Sequence, residues 1–189
     1  MNIELAKNKD AKEITRIHKQ EIASGFLSSL PLKFLEKTYF SVIENDFCVT
    51  AKENNEIIGF IAGTANIENL YHYFFRKYFF ISLFILAPKV FNFKKIFETI
   101  FYVRKKEELP SAELLTIAVK KDFRGQGISK KMLEFFISEM NKRGVKEFKV
   151  LVGGNLKPAI SFYEKNNFKF LKEIEVHGKE KSRIYIYNL

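Results

Sequence analysis

The sequence predicts a mixed α/β (α+β) domain, in which short strands and amphipathic helices alternate along a chain of 189 residues. Three observations carry that prediction. An apolar run, "ELLTIAV", passes through "RGQGIS" into the helical-looking "KKMLEFF". A second stretch, "FCVTAKENNEIIGFIAGTA", reads as two strands turning at Asn54-Asn55. Two more β runs, "FKFLKEIEV" and "RIYIY", flank a turn at Gly178 and close the chain. No repeat and no linker divides it, so one domain over 1–189 is expected.

The elements follow in order. "NIELAK" alternates enough for a first strand. Asp10, with Glu13 three positions on, has the spacing of a capping box and opens a helix whose apolar face runs through Ile14, Ile17, Ile22 and Phe26. A second helix is expected from Pro31 to Glu44, and the Asn-Asn hairpin follows it. From Asn66 to Pro110 the pattern turns aromatic, and Phe93, Ile96, Phe97, Ile100 and Phe101 form a helical stripe. After the strand beginning at Glu113, residues Ile128, Met132, Phe136 and Met140 mark a helix ending near Gly144. "KEFKVLV" is a strand with Phe148, Val150 and Val152 on one face. Pro158 stands near the start of a short helix through Tyr163, where its missing N–H does least harm.

Composition narrows the function classes. With 47% hydrophobic residues the chain can bury a substantial core and is not of disordered type. The single cysteine, Cys48, excludes an internal disulfide and a paired-thiol metal site. Cys48 falls in a predicted strand, where burial is expected; a covalent acyl-enzyme through it is the alternative. His18, His72 and His177 lack ligand spacing, so surface or helix-face roles are expected for them and no metal. The N-terminus lacks the apolar core of a signal peptide, which predicts a cytoplasmic protein. The formal net charge of +10 favours anionic partners, although a Lys-rich chain also gains solubility this way. No recognition helix or stacking motif accompanies the charge, so no nucleic-acid partner is expected.

"RGQGIS" is on its own also what a surface turn would use. Its place between a strand and a helix changes the reading. The first free N–H groups of the helix point at whatever the loop encloses, and the helix dipole adds partial positive charge there. Gly125 and Gly127 remove side chains that would hold a phosphate away, and Lys130 and Lys131 add charge. The Gly-Lys-Ser/Thr ending of a Walker loop is missing, as is the third glycine of a dinucleotide fingerprint.

"RGQGIS" resembles the Arg/Gln-x-x-Gly-x-Gly/Ala motif of the GNAT superfamily of acetyltransferases, with Arg124 and Gly127 on its first two positions and Ser129 where glycine or alanine is usual. "NLKPAISFYEKNNF" is similar to a second segment of that family, with Asn155, Ala159, Phe162, Tyr163 and Phe168 in register. Asn167 takes a place where glycine is common. The resemblance covers the N-terminal helices, the hairpin and everything from Glu113 onward; it leaves out 66–110. It implies a mixed, mostly antiparallel central sheet flanked by helices, and the aromatic stretch 66–110 is then a helical insertion before the central strand.

It also implies the chemistry. Acetyl-CoA would be the acyl donor, its pyrophosphate held by backbone amides from Arg124, Gly125, Gln126, Gly127, Ile128, Ser129 and Lys130. Its pantetheine would pair along Ile117, Ala118 and Val119, on a strand that usually bulges to free an N–H for the thioester carbonyl. Tyr163 would protonate the thiolate, Asn155 would contact the pantetheine, and Glu113 or an ordered water would take the amine's proton.

The acceptor expected is a primary amine, small or sugar-linked, because the aromatic insertion would close over its site. A protein amine and a non-catalytic acyl-CoA sensor are the alternatives. Two helices packed on the sheet is the plain reading of the insertion. A surface for a partner or a homodimer is another. Peripheral membrane contact through 71–106 is a third, since basic residues surround its aromatics.

Overall fold

Asn54 and Asn55 set the first hairpin: both have positive φ (48° and 65°), the conformation of a two-residue turn that matches strand twist. The computed structural model describes residues 1–23, 25–86, 109–176 and 180–189. Its elements are β1 (Asn2–Leu5), α1 (Ala11–Glu21), α2 (Phe26–Ser29), α3 (Leu32–Asn45), β2 (Phe47–Glu53), β3 (Glu56–Thr64) and α4 (Ile67–Leu86). Then come β4 (Glu113–Val119), α5 (Ile128–Lys142), β5 (Glu147–Gly153), α6 (Lys157–Lys165), β6 (Lys169–Val176) and β7 (Glu180–Asn188). The strands form one seven-stranded sheet in the order β1-β2-β3-β4-β5-β7-β6. Every neighbouring pair is antiparallel except β4–β5. This is the mixed, mostly antiparallel sheet expected from the sequence.

The sheet has an apolar cluster on each face. On one, Met132, Phe136 and Met140 of α5 are fully buried with Phe148 and Val150 of β5 and Phe168. On the other, Ile14 and Ile17 of α1 and Leu35 and Tyr39 of α3 cover Phe60 and Ala62 of β3. Truncating one such side chain to alanine costs about 2–5 kcal/mol, so both layers hold the sheet in place.

Some local expectations are corrected. Asp10 makes no side-chain cap to α1; its carboxylate instead accepts the Lys7 amide at 2.8 Å and pairs with Lys52 at 3.3 Å. Glu13 pairs with Arg16 and Lys120, so the capping box is not formed. Helix α1 stops at Glu21, and Phe26 begins the separate four-residue α2. His18, expected at the surface or on a helix face, takes the helix-face role and is 1% exposed: Tyr39 Oη lies 2.5 Å from Nδ1 and Ser28 Oγ 2.9 Å from Nε2. Burial, then the neighbouring Lys19, lowers its pKa to about 4, so the ring is neutral at pH 7.

The aromatic segment begins as α4, kinked at Tyr78, where φ and ψ leave the helical range (−118°, 26°). It packs against α3, where the rings of Phe74 and Phe34 meet edge-on at 5.1 Å and Lys77 pairs with Glu44. The stripe from Phe93 to Phe101 and the turn at Gly178 lie outside the described residues. Among the described residues no helix is long and apolar enough to cross a membrane.

Candidate active site at the end of β4

Strand β4 is paired differently along its two edges. Toward β3 it is paired from Glu113 to Val119. Toward β5 the parallel pairing covers Glu113–Lys149 and Leu114–Val150, and among the described residues no strand pairing continues beyond. From Leu115 to Val119, then, this edge is open to an extended ligand, and Ile117, Ala118 and Val119 lie on that open stretch. The register against β3 slips here: Ala62 faces Thr116 and Gly63 faces Leu114, so Leu115 is an extra residue, a β-bulge. The expected bulge is present at the point where the open edge begins.

Past Val119 the chain makes a 3-10 turn, Lys121–Phe123, and enters the glycine loop. Gly125 and Gly127 both have positive φ (79° and 74°), and an added Cβ at either would meet nothing within 4 Å. Gly127 is the residue from which α5 starts. The next backbone donor in use is Lys131, which bonds Gly127 O at 3.1 Å. Among the described residues, none accepts a hydrogen bond from the amides of Gly125, Gln126, Gly127, Ile128, Ser129 or Lys130. Such a run of free donors at the positive end of a fifteen-residue helix is an anion cradle. A diphosphate fits that donor set and the space left by the two glycines.

The cradle opens on a cleft of about 370 Å³ whose walls include Val119, Phe123, Ile128 and Phe162. Lys165 and Asn166 line it as well. Neither stands at a motif position that marks the site in the sequence. They follow Phe162 by three and four positions, so the three share one side of the end of α6, and that spacing is the signal that could have found them. Asn166 Nδ2 donates to Phe162 O at 2.7 Å, which holds its side chain against the helix end.

The other expected site residues lie off this cleft. Tyr163, on α6, is 3% exposed and packed among Phe162, Phe168 and Tyr185. Burial pushes its phenol well above the ordinary tyrosine range, and its hydroxyl has no hydrogen bond to a described residue. Such a group stays protonated at pH 7 and is available as a donor. Glu113 starts β4, and its Oε2 lies 3.3 Å from the ammonium of Lys149, which is 5% exposed. Lys149 also donates to Pro110 O. Asn155 is exposed in the turn between β5 and α6. Asn167, with φ 67°, takes the left-handed conformation expected of a residue standing in for glycine.

Cys48 is buried, and desolvation, with Asp10 adding to it, raises its thiol far above the usual range. A thiol that resists ionisation is a poor nucleophile, which disfavours an acyl-enzyme. No group of three or more metal-binding side chains occurs among the described residues.

No curated protein matches the chain. In overall fold it is similar to the ribosomal-protein-alanine N-acetyltransferase from Brucella melitensis, with a TM-score of 0.66, 13% identity and full coverage of both chains. It is also similar to the ribosomal-protein-S18-alanine N-acetyltransferase from Escherichia coli (TM-score 0.63, 16% identity, 99% of this chain and 92% of that one). A third likeness is to the yncA protein of Salmonella typhimurium, solved with its cofactor acetyl-CoA (TM-score 0.63, 11% identity, 100% and 93% covered). The model of the acetyltransferase (GNAT) family matches residues 14–168, and the chain belongs to that family.

Proposed function

We propose that this acetyltransferase passes the acetyl group of acetyl-CoA to a primary amine carried by a small or sugar-linked molecule, by direct attack on the thioester. The observation that carries the reading is the run of free amides from Gly125 to Lys130, set beside the open edge of β4. The amides would hold the diphosphate, and Ile117, Ala118 and Val119 would align the pantetheine along the strand. Bound coenzyme supplies an activated acetyl group on a thiol leaving group. Lys165 adds a positive charge at the cleft wall, and Asn155 would touch the pantetheine from the β5–α6 turn.

The protein then has to manage charge and protons. The amine nitrogen bonds the carbonyl carbon while the C–S bond breaks, and charge builds on the carbonyl oxygen. The interrupted ladder at Leu115 is where a backbone N–H would face that oxygen, a contribution of about 3–4 kcal/mol in comparable acyl-transfer sites. Tyr163 gives its proton to the departing thiolate. Glu113 takes the proton leaving the amine, directly or through water, and must loosen its contact with Lys149 to do so.

The test is release of free CoA thiol from acetyl-CoA against a panel of amines, including nucleotide amino sugars and peptides with free N-termini. Turnover with small or sugar-linked amines is the expected result. Turnover confined to peptides moves the acceptor to a protein amine. Coenzyme binding with no turnover on any amine overturns the catalytic roles and leaves an acyl-CoA sensor.

A further inference from the structure

The last residue of α1 reaches the glycine loop from the opposite face of the sheet. Glu21 Oε2 lies 2.6 Å from Arg124 Nη2, and Oε1 accepts the Lys121 amide at 3.3 Å. Arg124 is held a second time, through Nε, by Val119 O at 3.2 Å. The Glu21 side chain is only 13% exposed, whereas that of Arg124 is 55% exposed. A carboxylate on the final residue of a helix faces the negative end of the helix dipole, so its place there is unfavourable unless its charge is engaged. Here it is engaged at both ends of one short connection. Lys121 opens the turn that leaves β4, and Arg124 ends that turn at the threshold of the loop.

We propose that Glu21 is a positioning residue for coenzyme binding: one carboxylate fixes the segment Lys121–Arg124, and so sets where the free amides of 125–130 point. In this arrangement the Arg124 guanidinium is a strut bonded to Glu21 and Val119 O, and the diphosphate is left to the backbone. A charged hydrogen bond that pre-orders a loop stabilises the bound state by removing the ordering cost from binding. The proposal rests on the glycine loop being the diphosphate site.

The opposite arrangement makes the opposite prediction. Were the guanidinium itself the phosphate ligand, Glu21 would compete with the coenzyme, and removing its charge would tighten binding.

Calorimetric binding of CoA tests this without any acceptor. Glu21→Gln is expected to weaken CoA about tenfold, and Glu21→Ala further, with apo melting temperatures within a few degrees of wild type. The charge exchange, Glu21→Arg with Arg124→Glu, is expected to recover part of what Arg124→Glu alone loses. With an active acceptor, kcat at saturating acetyl-CoA holds while KM rises, and kcat/KM for acetyl-pantetheine, which lacks the diphosphate, is unchanged. Equal or tighter CoA binding by Glu21→Gln overturns the proposal, as does an equal loss with acetyl-pantetheine. Wild-type protein that binds no CoA overturns the diphosphate reading itself.

Discussion

The two ends of β4 are built on opposite principles. At its start the strand is enclosed: Glu113 and Leu114 are paired on both sides, Lys149 is buried beside Glu113, and Gly63 lies under the ring of Phe136. At its end, among the described residues, one edge is unpaired, two glycines stand clear of every neighbour, and consecutive amides lack acceptors. Glycine serves both ends for different reasons. Gly63 is there because nothing larger fits; Gly127 is there because nothing else adopts its φ so readily. One end of the strand is fixed by packing, and that leaves the other end free to present unsatisfied donors to a ligand.

Tyr163→Phe gives the largest effect. Loss of the phenolic proton is expected to lower kcat about 1000-fold, and CoA affinity and melting temperature should hold, since the hydroxyl bonds no described residue. Single-turnover kinetics with an active amine would check it. Unchanged turnover would move the acid elsewhere and separate α6 from the chemistry.

The two glycines test the contrast directly. A Cβ at Gly63 would come within 2.7 Å of Glu113 O and closer still to the Phe136 ring. Gly63→Ala should therefore cost about 3 kcal/mol in denaturant unfolding. Gly127→Ala should cost about 1 kcal/mol in stability, from backbone strain alone, and show its main effect on CoA binding. If the two variants lose stability equally, the contrast fails.

The buried histidine behind β4 makes a pH prediction. Its folded pKa of about 4 lies below the unfolded value of 6.5, so the unfolded chain binds the proton more readily between them. The stability that depends on neutral His18 is complete above pH 6.5 and falls as pH drops toward 4, by roughly 3 kcal/mol in all. His18→Gln should flatten that slope. An unchanged slope would show that other groups govern acid unfolding.

Lys149 tests the enclosed end of the strand once more. Lys149→Met should destabilise by about 2 kcal/mol, because a partly buried carboxylate loses its partner, and adding Glu113→Gln should restore roughly half of this. Equal losses in the single and double variants would mean that Lys149 acts through packing and Pro110 alone.

Local grammar made much of this readable in advance. The glycine loop, the Asn54-Asn55 turn and the spacing of Met132, Phe136 and Met140 are written within a few residues of one another, where period and φ preference decide the outcome. What escaped the sequence depends on distant partners. Asp10 has a capping residue's spacing, but the Lys7 amide and Lys52 take its carboxylate. His18 lies on a helix whose polar face could have met water, and Tyr39 and Ser28 enclose it instead. The Glu113–Lys149 pair exists because β4 and β5 run parallel, a topology no short window contains. Lys165 and Asn166 became part of the cleft wall only when the end of α6 came to lie across from the loop.

The extra residue at Leu115 also governs parity. Strand side chains alternate between faces, and the bulge advances that count by one, so Leu115 and Ala118 belong to the α1–α3 cluster while Leu114, Ile117 and Val119 belong to the α5 cluster. Paired without the bulge, the same residues would alternate strictly, and everything from Thr116 to Val119 would turn to the other face. Ile117 and Val119 would then leave the α5 cluster, and the strand would deliver the glycine loop facing the wrong way.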